Sequence, residues 1–202
     1  MTYCVGVKLE EGLIFASDSR THAGVDNYAK FCKMTVFERA GDRVLVLLSS
    51  GGLAATQAVI SVLRMRAAAD PPHLWSVASL FDVANLVADA MRDIERRDGP
   101  FLESGGLSFN ASFILGGQIA GEEMRLFRIY AEGNFIEAGT DTPALALMLA
   151  ATWQLLTQRR SFELGSTLAN ANRSRAEQVR WCAGLLSRAP SPESRNPTDF
   201  EC

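Results

Sequence analysis

Histidine is nearly missing from this chain: two in 202 residues, His22 and His73. Neither sits in an HExxH-type motif, so the zinc hydrolase patterns are excluded, and a Ser-His-Asp triad has thin material to work with. The four cysteines, Cys4, Cys32, Cys182 and Cys202, contain no CxxC pair. Zinc-ribbon and thioredoxin readings therefore fail, and reduced, mostly buried thiols are expected. The start of the chain has no basic segment followed by an apolar one, so no signal peptide is expected. No apolar run approaches the roughly 18 residues that a membrane helix needs. The expected location is cytoplasmic, with no membrane partner. The net charge of −3 supplies no basic field, so no nucleic-acid partner is expected either. GGQIAG at 116–121 has phosphate-loop glycine spacing but runs into Glu122 and Glu123, whose carboxylates would repel a phosphate. Lysine is scarce as well, limited to Lys8, Lys30 and Lys33. No serine stands three residues before any of them, which removes the SxxK dyad.

What remains is an ordinary core-forming composition, 48% hydrophobic and 21% charged. The length suits one domain, expected over 1–188, with a tail over 189–202 whose Pro, Ser and charge content reads as disordered. Residues 3–9 and 13–17 read as a hairpin around Glu10-Glu11-Gly12. A polar loop over 18–30 precedes strands at 33–37 and 43–48. Helices are expected over 53–68 and 75–96. The second carries the stripe Leu80, Val83, Val87, Met91 and Ile94, and is expected to end near Asp98-Gly99-Pro100. Strands return at 108–117, 124–131 and 134–139, and 143–157 reads as helical. Two stacked antiparallel sheets with helices outside would bury this pattern, giving an α+β, four-layer αββα sandwich.

Four positions carry chemistry. Thr2 follows Met1, and its small side chain permits removal of that methionine. The freed α-amine, with an ordinary pKa of about 7.7–8.0, could then act as general base for the Thr2 hydroxyl. Asp18, in FASDSR, ends the second strand, near the strand start that follows Thr2 if the hairpin is regular. Lys33 opens a buried strand; a cation there would favour the deprotonated hydroxyl and amine, with Asp18 holding it in place. Ser50-Gly51-Gly52 joins a buried strand to a helix, where outward-facing N–H groups and the helix's positive end suit an oxyanion.

Thr2, the block ASDSR, the strand-opening Lys33 and SSGGLAA occur in the order of the proteasome-type threonine peptidases, within the N-terminal-nucleophile hydrolases, and the chain resembles that family over residues 1–142. MTYCVGVKLEEGLIFASDSRT, GVDN and NFIEA are most similar to its bacterial Anbu group. The resemblance implies an αββα fold and peptide-bond hydrolysis of peptide or protein substrates. It implies Thr2 as nucleophile with its own amine as base, Lys33 as the tuning charge, Asp18 as its orienter and Gly51 as oxyanion donor. It further implies a modest, mainly apolar pocket formed by Thr21, Phe31, Ser49 and Leu53, no metal or cofactor, and a homo-oligomer built as a ring or helical turn. It leaves any ATP-driven unfoldase unassigned.

The chain departs from the family after NFIEA. No Tyr-Gly-Lys-Pro-like or Asp-Ser-Thr-x-x-Ser-like block follows, and no strand is expected beyond about residue 140. Seven of the seventeen arginines fall in the last 44 residues. This reads as a replaced or divergent C-terminal part, through a frameshift or real divergence, with a sheet left open at one edge. Thr140, in AGTDT, is the candidate for the family serine that contacts the α-amine. Two alternatives stay open: a hydrolase of small amides on the same fold, and a self-assembling scaffold with little catalysis.

Overall fold

The computed structural model describes residues 3–18, 20–22, 28–148 and 181–187, with side chains described over 3–18 and 31–147. Apolar residues on alternating positions set the first hairpin. β1 (Tyr3–Lys8) and β2 (Gly12–Asp18) pair antiparallel, from Cys4 opposite Ser17 to Lys8 opposite Leu13. Cys4, Leu13 and Phe15 point inward at 0% exposure. The loop expected over 18–30 contains a small ladder, β3 (Arg20–His22) against β4 (Tyr28–Lys30). Its polar residues carry no period-two apolar signal.

β5 (Met34–Arg39) and β6 (Arg43–Gly51) form the next hairpin, and β6 is central in its sheet. Leu45 and Leu47 face one core, while Val44, Val46 and Leu48 face the other. A strand buried on both faces explains the unbroken run RVLVLL. β7 (Ala111–Ile119), β8 (Arg125–Ile129) and β9 (Phe135–Glu137) complete a five-stranded sheet of order β5-β6-β7-β8-β9. α1 (Leu53–Arg66) and α2 (Leu80–Ser104) cover its outer face.

The α2 stripe is buried as expected, but both ends of the helix differ from expectation. α2 starts at Leu80 because Ser79 caps it, its hydroxyl accepting from Asp82 N–H at 3.1 Å. It runs through Gly99-Pro100 to Ser104. Pro100 is exposed, so the carbonyl it displaces can turn to water, and the helix continues.

The larger correction concerns residues 143–157. Ala144–Met148 is a strand, β10, paired with β1 from Val7 opposite Ala144 to Tyr3 opposite Met148. Leu145 and Leu147 face the core, so ALALM alternates at period two, a pattern too short for periodicity to separate from helix. β11 (Trp181–Ser187) pairs with β2, giving a four-stranded sheet of order β10-β1-β2-β11. Strands therefore do follow residue 140, and both flanks of the first hairpin are paired. The expected helix over 149–157 and the expected tail over 189–202 lie outside the described residues.

The two sheets stack through a core that includes Phe15, Leu48, Ile114 and Leu126. Gly116 in β7 lets Phe15 approach: a Cβ there would stand 2.5 Å from Phe15 Cζ. The class is α+β. The described residues supply helices, sheet and sheet; the fourth expected layer falls outside them. No helix among the described residues is long and apolar enough to cross a membrane. Cys4 is buried, whereas Cys32 is exposed and disulfide-bonded, so the expectation of buried, reduced thiols fails for Cys32.

At the far end of the five-stranded sheet, Arg125 grips Glu137 with two hydrogen bonds of 2.7 and 2.6 Å, tying β8 to β9. The guanidinium's hydrogen bonding holds the Glu137 carboxyl below its ordinary value despite partial burial. A lowered folded pKa means stability that is present above the unfolded carboxylate pKa and lost as pH falls through the folded one. Glu137 is 37% exposed on its side chain, so the pair is screened. Glu137→Gln is expected to cost roughly 0.2–1 kcal/mol at pH 7 and nothing near pH 2, read from urea unfolding at both pH values.

Candidate active site

The ends of four strands converge at one end of the sandwich. Asp18 closes β2 opposite the start of β1, and Tyr3 N–H donates to Asp18 Oδ1 at 2.8 Å. Lys33, just before β5, donates from Nζ to Asp18 Oδ2 at 2.7 Å. Both ends of this ion pair are buried, Asp18 at 5% and Lys33 at 7% exposure. Breaking such a pair by removing one partner is costly. The Lys33 backbone is fixed too: its carbonyl accepts from Ser49 N–H at 2.9 Å and from Ser49 Oγ at 3.3 Å. The Cys4 thiol donates to the Ser49 carbonyl at 3.5 Å, joining β1 of one sheet to β6 of the other.

Gly51 ends β6 with φ +111°, a conformation that side chains disfavour. Gly52 N–H donates to the Asn110 carbonyl at 2.7 Å, in continuation of the β6–β7 ladder. Antiparallel ladders alternate the edge to which successive N–H groups point. The Gly51 N–H is thereby turned away from β7, towards the side of β5. There the β5–β6 ladder has already reached Lys33, so the amide faces the space beyond the strand start. α1 begins immediately afterwards, with Thr56 N–H donating to the Gly52 carbonyl at 3.0 Å, and presents its positive end to the same space.

That space is a cavity of about 440 Å³. Phe31, Lys33, Ser49, Gly51 and Leu53 all line it, so these expected residues are brought together. Thr21 lies in β3 with its backbone opposite Ala29, and its side chain lies outside the described residues. Thr2 also lies outside them, one peptide bond before Tyr3. Thr140 is not brought to the site. Ala138 N–H bonds the Leu126 carbonyl, and Lys8 N–H bonds the Pro143 carbonyl, which puts the 139–142 turn at the opposite end of both sheets. The five steps along β1 from Tyr3 to Lys8 alone span about 17 Å.

The lining is also more polar than the apolar pocket expected. Thr35, Thr56, Gln57, Ser61 and Arg64 contribute to it and were not among the expected residues. The helical spacing 53, 57, 60/61 and 64 was the signal that could have found the α1 members, since these positions share one helix face.

No protein-family model and no curated protein matches the chain. Solved structures do. Anbu from Hyphomicrobium sp. strain MC1 is 34% identical over 98% of this chain and 86% of its own, with a TM-score of 0.75. Anbu (ancestral beta-subunit) from Yersinia bercovieri is 35% identical over 92% and 81%, with a TM-score of 0.73. A helical assembly of the Anbu complex from Pseudomonas aeruginosa is 38% identical over 92% and 80%, with a TM-score of 0.75. Matching identity, near-complete coverage and shared architecture together mean that this chain belongs to the Anbu family of proteasome-like proteins.

Proposed function

We propose that the protein is a threonine-type peptidase that cleaves peptide or protein substrates with Thr2 after loss of Met1. The observation that carries this reading is the buried Asp18–Lys33 pair, held by a direct hydrogen bond to the amide of Tyr3. A cation is thereby linked through one carboxylate to the Tyr3 amide. In this mechanism the Thr2 Oγ attacks the substrate carbonyl carbon while its proton passes to the Thr2 α-amine. The Lys33 charge favours the deprotonated hydroxyl and amine, and Asp18 keeps that charge in position. The Gly51 N–H donates to the oxyanion, a contribution of about 2.7–4 kcal/mol for one donor. The intermediate collapses to an ester as the α-ammonium returns its proton to the leaving amine. Water, deprotonated by the same amine, then releases the acid and restores Thr2.

No metal or cofactor enters these steps. The Pseudomonas relative forms a helical assembly, and we extend homo-oligomer formation to this chain on that basis. A cytoplasmic location is part of the same proposal. The scaffold alternative rested on the divergent C-terminal part, and the pairing of β10 and β11 on both flanks of the first hairpin weakens it.

Intact mass and N-terminal sequencing, with and without an epoxyketone or β-lactone, test the proposal. The expected result is a Thr2 N-terminus that gains one inhibitor mass, and no gain in Thr2→Ala. A retained Met1, or a processed Thr2 that takes no label, would overturn it.

A further inference from the structure

A closed circuit of bonds runs through the two sheets where they meet at the site. Tyr3 N–H donates to Asp18 Oδ1 at 2.8 Å, and Lys33 Nζ donates to Asp18 Oδ2 at 2.7 Å. Ser49 donates to the Lys33 carbonyl through its N–H at 2.9 Å and its Oγ at 3.3 Å. The Cys4 thiol donates to the Ser49 carbonyl at 3.5 Å, and the peptide bond between Tyr3 and Cys4 closes the ring. The circuit thus passes from β1 to the end of β2, to the start of β5, to β6, and back to β1. β1 and β2 belong to one sheet, β5 and β6 to the other.

Cys4 supplies the return from β6 to β1. The carbonyl of one strand residue and the N–H two residues later lie along the same edge. The Ser49 carbonyl and the Gly51 N–H are therefore neighbours on the edge of β6 that faces β5. A thiol two residues beyond Thr2 grips β6 beside the amide assigned to the oxyanion. The core around this contact is largely apolar and includes Leu13, Phe15, Leu48 and Ile114. Apolar packing is non-directional, whereas a hydrogen bond fixes one atom against another. Ser17 provides the contrast. It stands opposite Cys4 in the β1–β2 ladder and is equally buried at 0% exposure, yet its hydroxyl has no hydrogen-bond partner among the described residues. Cys4 does not line the cavity, so any effect it has on a substrate there passes through β6.

We propose that Cys4 is a positioning residue, its thiol holding the Gly51 end of β6 in place against the Thr2 end of β1. The proposal rests on the peptidase reading for its effect on turnover, and on the fold alone for the tie between strands. Misplacing reacting groups by about 1 Å costs roughly a hundredfold in rate, so a contact between nucleophile strand and oxyanion strand acts on kcat.

The test is the series Cys4→Ser, Cys4→Val and Cys4→Ala, with Ser17→Ala as control, read well below each melting temperature. Serine keeps a donor, valine fills the space without one, and alanine does neither. With a mixed panel of fluorogenic peptides, the Val and Ala variants are expected to lose roughly ten- to a hundredfold in kcat, with KM within about twofold of native. Cys4→Ser and Ser17→Ala should stay within about threefold in kcat. In parallel, hydrogen exchange over residues 44–52 is followed by mass spectrometry. It should quicken roughly three- to tenfold in the Val and Ala variants, as suits the loss of one modest hydrogen bond, and should not quicken in the Ser variant. Valine matching serine in turnover, or serine failing as valine does, overturns the proposal and leaves the peptidase reading standing. No turnover in the natural protein, with exchange quickened in Val and Ala but not in Ser, upholds the tie and overturns the peptidase reading. No turnover and no such pattern of exchange overturns both.

Discussion

Asp18→Asn is expected to lower folding stability by about 3–5 kcal/mol, the penalty for breaking a buried ion pair from one side. At roughly 2–4 °C per kcal/mol for a chain of this size, the melting temperature should fall by roughly 6–20 °C. Asparagine keeps the shape and can still accept from Tyr3 N–H, a bond of 2.8 Å in the native protein. What it removes is the negative charge 2.7 Å from the Lys33 ammonium, at a site where both residues are less than a tenth exposed. Lys33→Met should cost less, because Asp18 retains its backbone donor and methionine fills the lysine's volume. The double variant Asp18→Asn/Lys33→Met should recover most of the lost stability, since a neutral pair carries no desolvation penalty. It should recover no peptide turnover and no inhibitor labelling, because the tuning charge is gone. The pair's worth to folding and its worth to chemistry are thereby separated in one cycle, read by calorimetry and by mass. A single variant within about 0.5 kcal/mol of native would show that the pair is far better solvated than its burial implies.

That site was legible because it is built from strand ends. Short apolar, β-rich runs between turn residues located β1, β2, β5 and β6, and a regular hairpin brings the end of one strand to the start of the other. Asp18 could therefore be placed near the start of β1 before any coordinate was known, whereas Lys33, which precedes a strand of the other sheet, was tied to it by the family resemblance. The α2 stripe was equally legible, since Leu80 to Ile94 repeat every three or four residues and every member is buried. Residues 144–148 were not legible. Five apolar residues satisfy either period, and their pairing with β1, distant in sequence, settled the conformation. Pro100 misled for a different reason: it stands on an exposed face in the last turns of α2, where the carbonyl it displaces can turn to water and the helix still closes at Ser104. Thr140 was chosen by residue type, but position along a sheet is fixed by register, which puts it at the wrong end. Arg64 was missed because its place at the cavity depends on how α1 lies against β5, a tertiary relation that spacing alone does not encode.

Gly51→Ala is the second large effect, and Gly52→Ala is its internal control. Gly51 holds φ +111°, and an added Cβ would run into the backbone carbonyl of Asn110, which cannot rotate away as a side chain could. A strained backbone conformation costs about 1–3 kcal/mol, and forced overpacking costs a similar amount. A combined loss of roughly 2–5 kcal/mol is expected, unless the strand end shifts to relieve it. Gly52 has φ −62° and ψ 123°, which any residue adopts, and its added Cβ would stand 3.4 Å from the same carbonyl. Gly52→Ala should therefore cost less than about 1 kcal/mol. Relief by shifting the strand end would be just as informative, because it would redirect the Gly51 N–H. Misplacing one oxyanion donor lowers kcat by about a hundred- to a thousandfold. Gly51→Ala that lost stability but kept turnover would move the oxyanion donor elsewhere. Turnover lost with stability kept would show the strand end yielding while the amide leaves the reacting carbonyl. In either outcome Gly52→Ala should stay near native, because the Gly52 amide is committed to Asn110 at 2.7 Å and has no part in the chemistry.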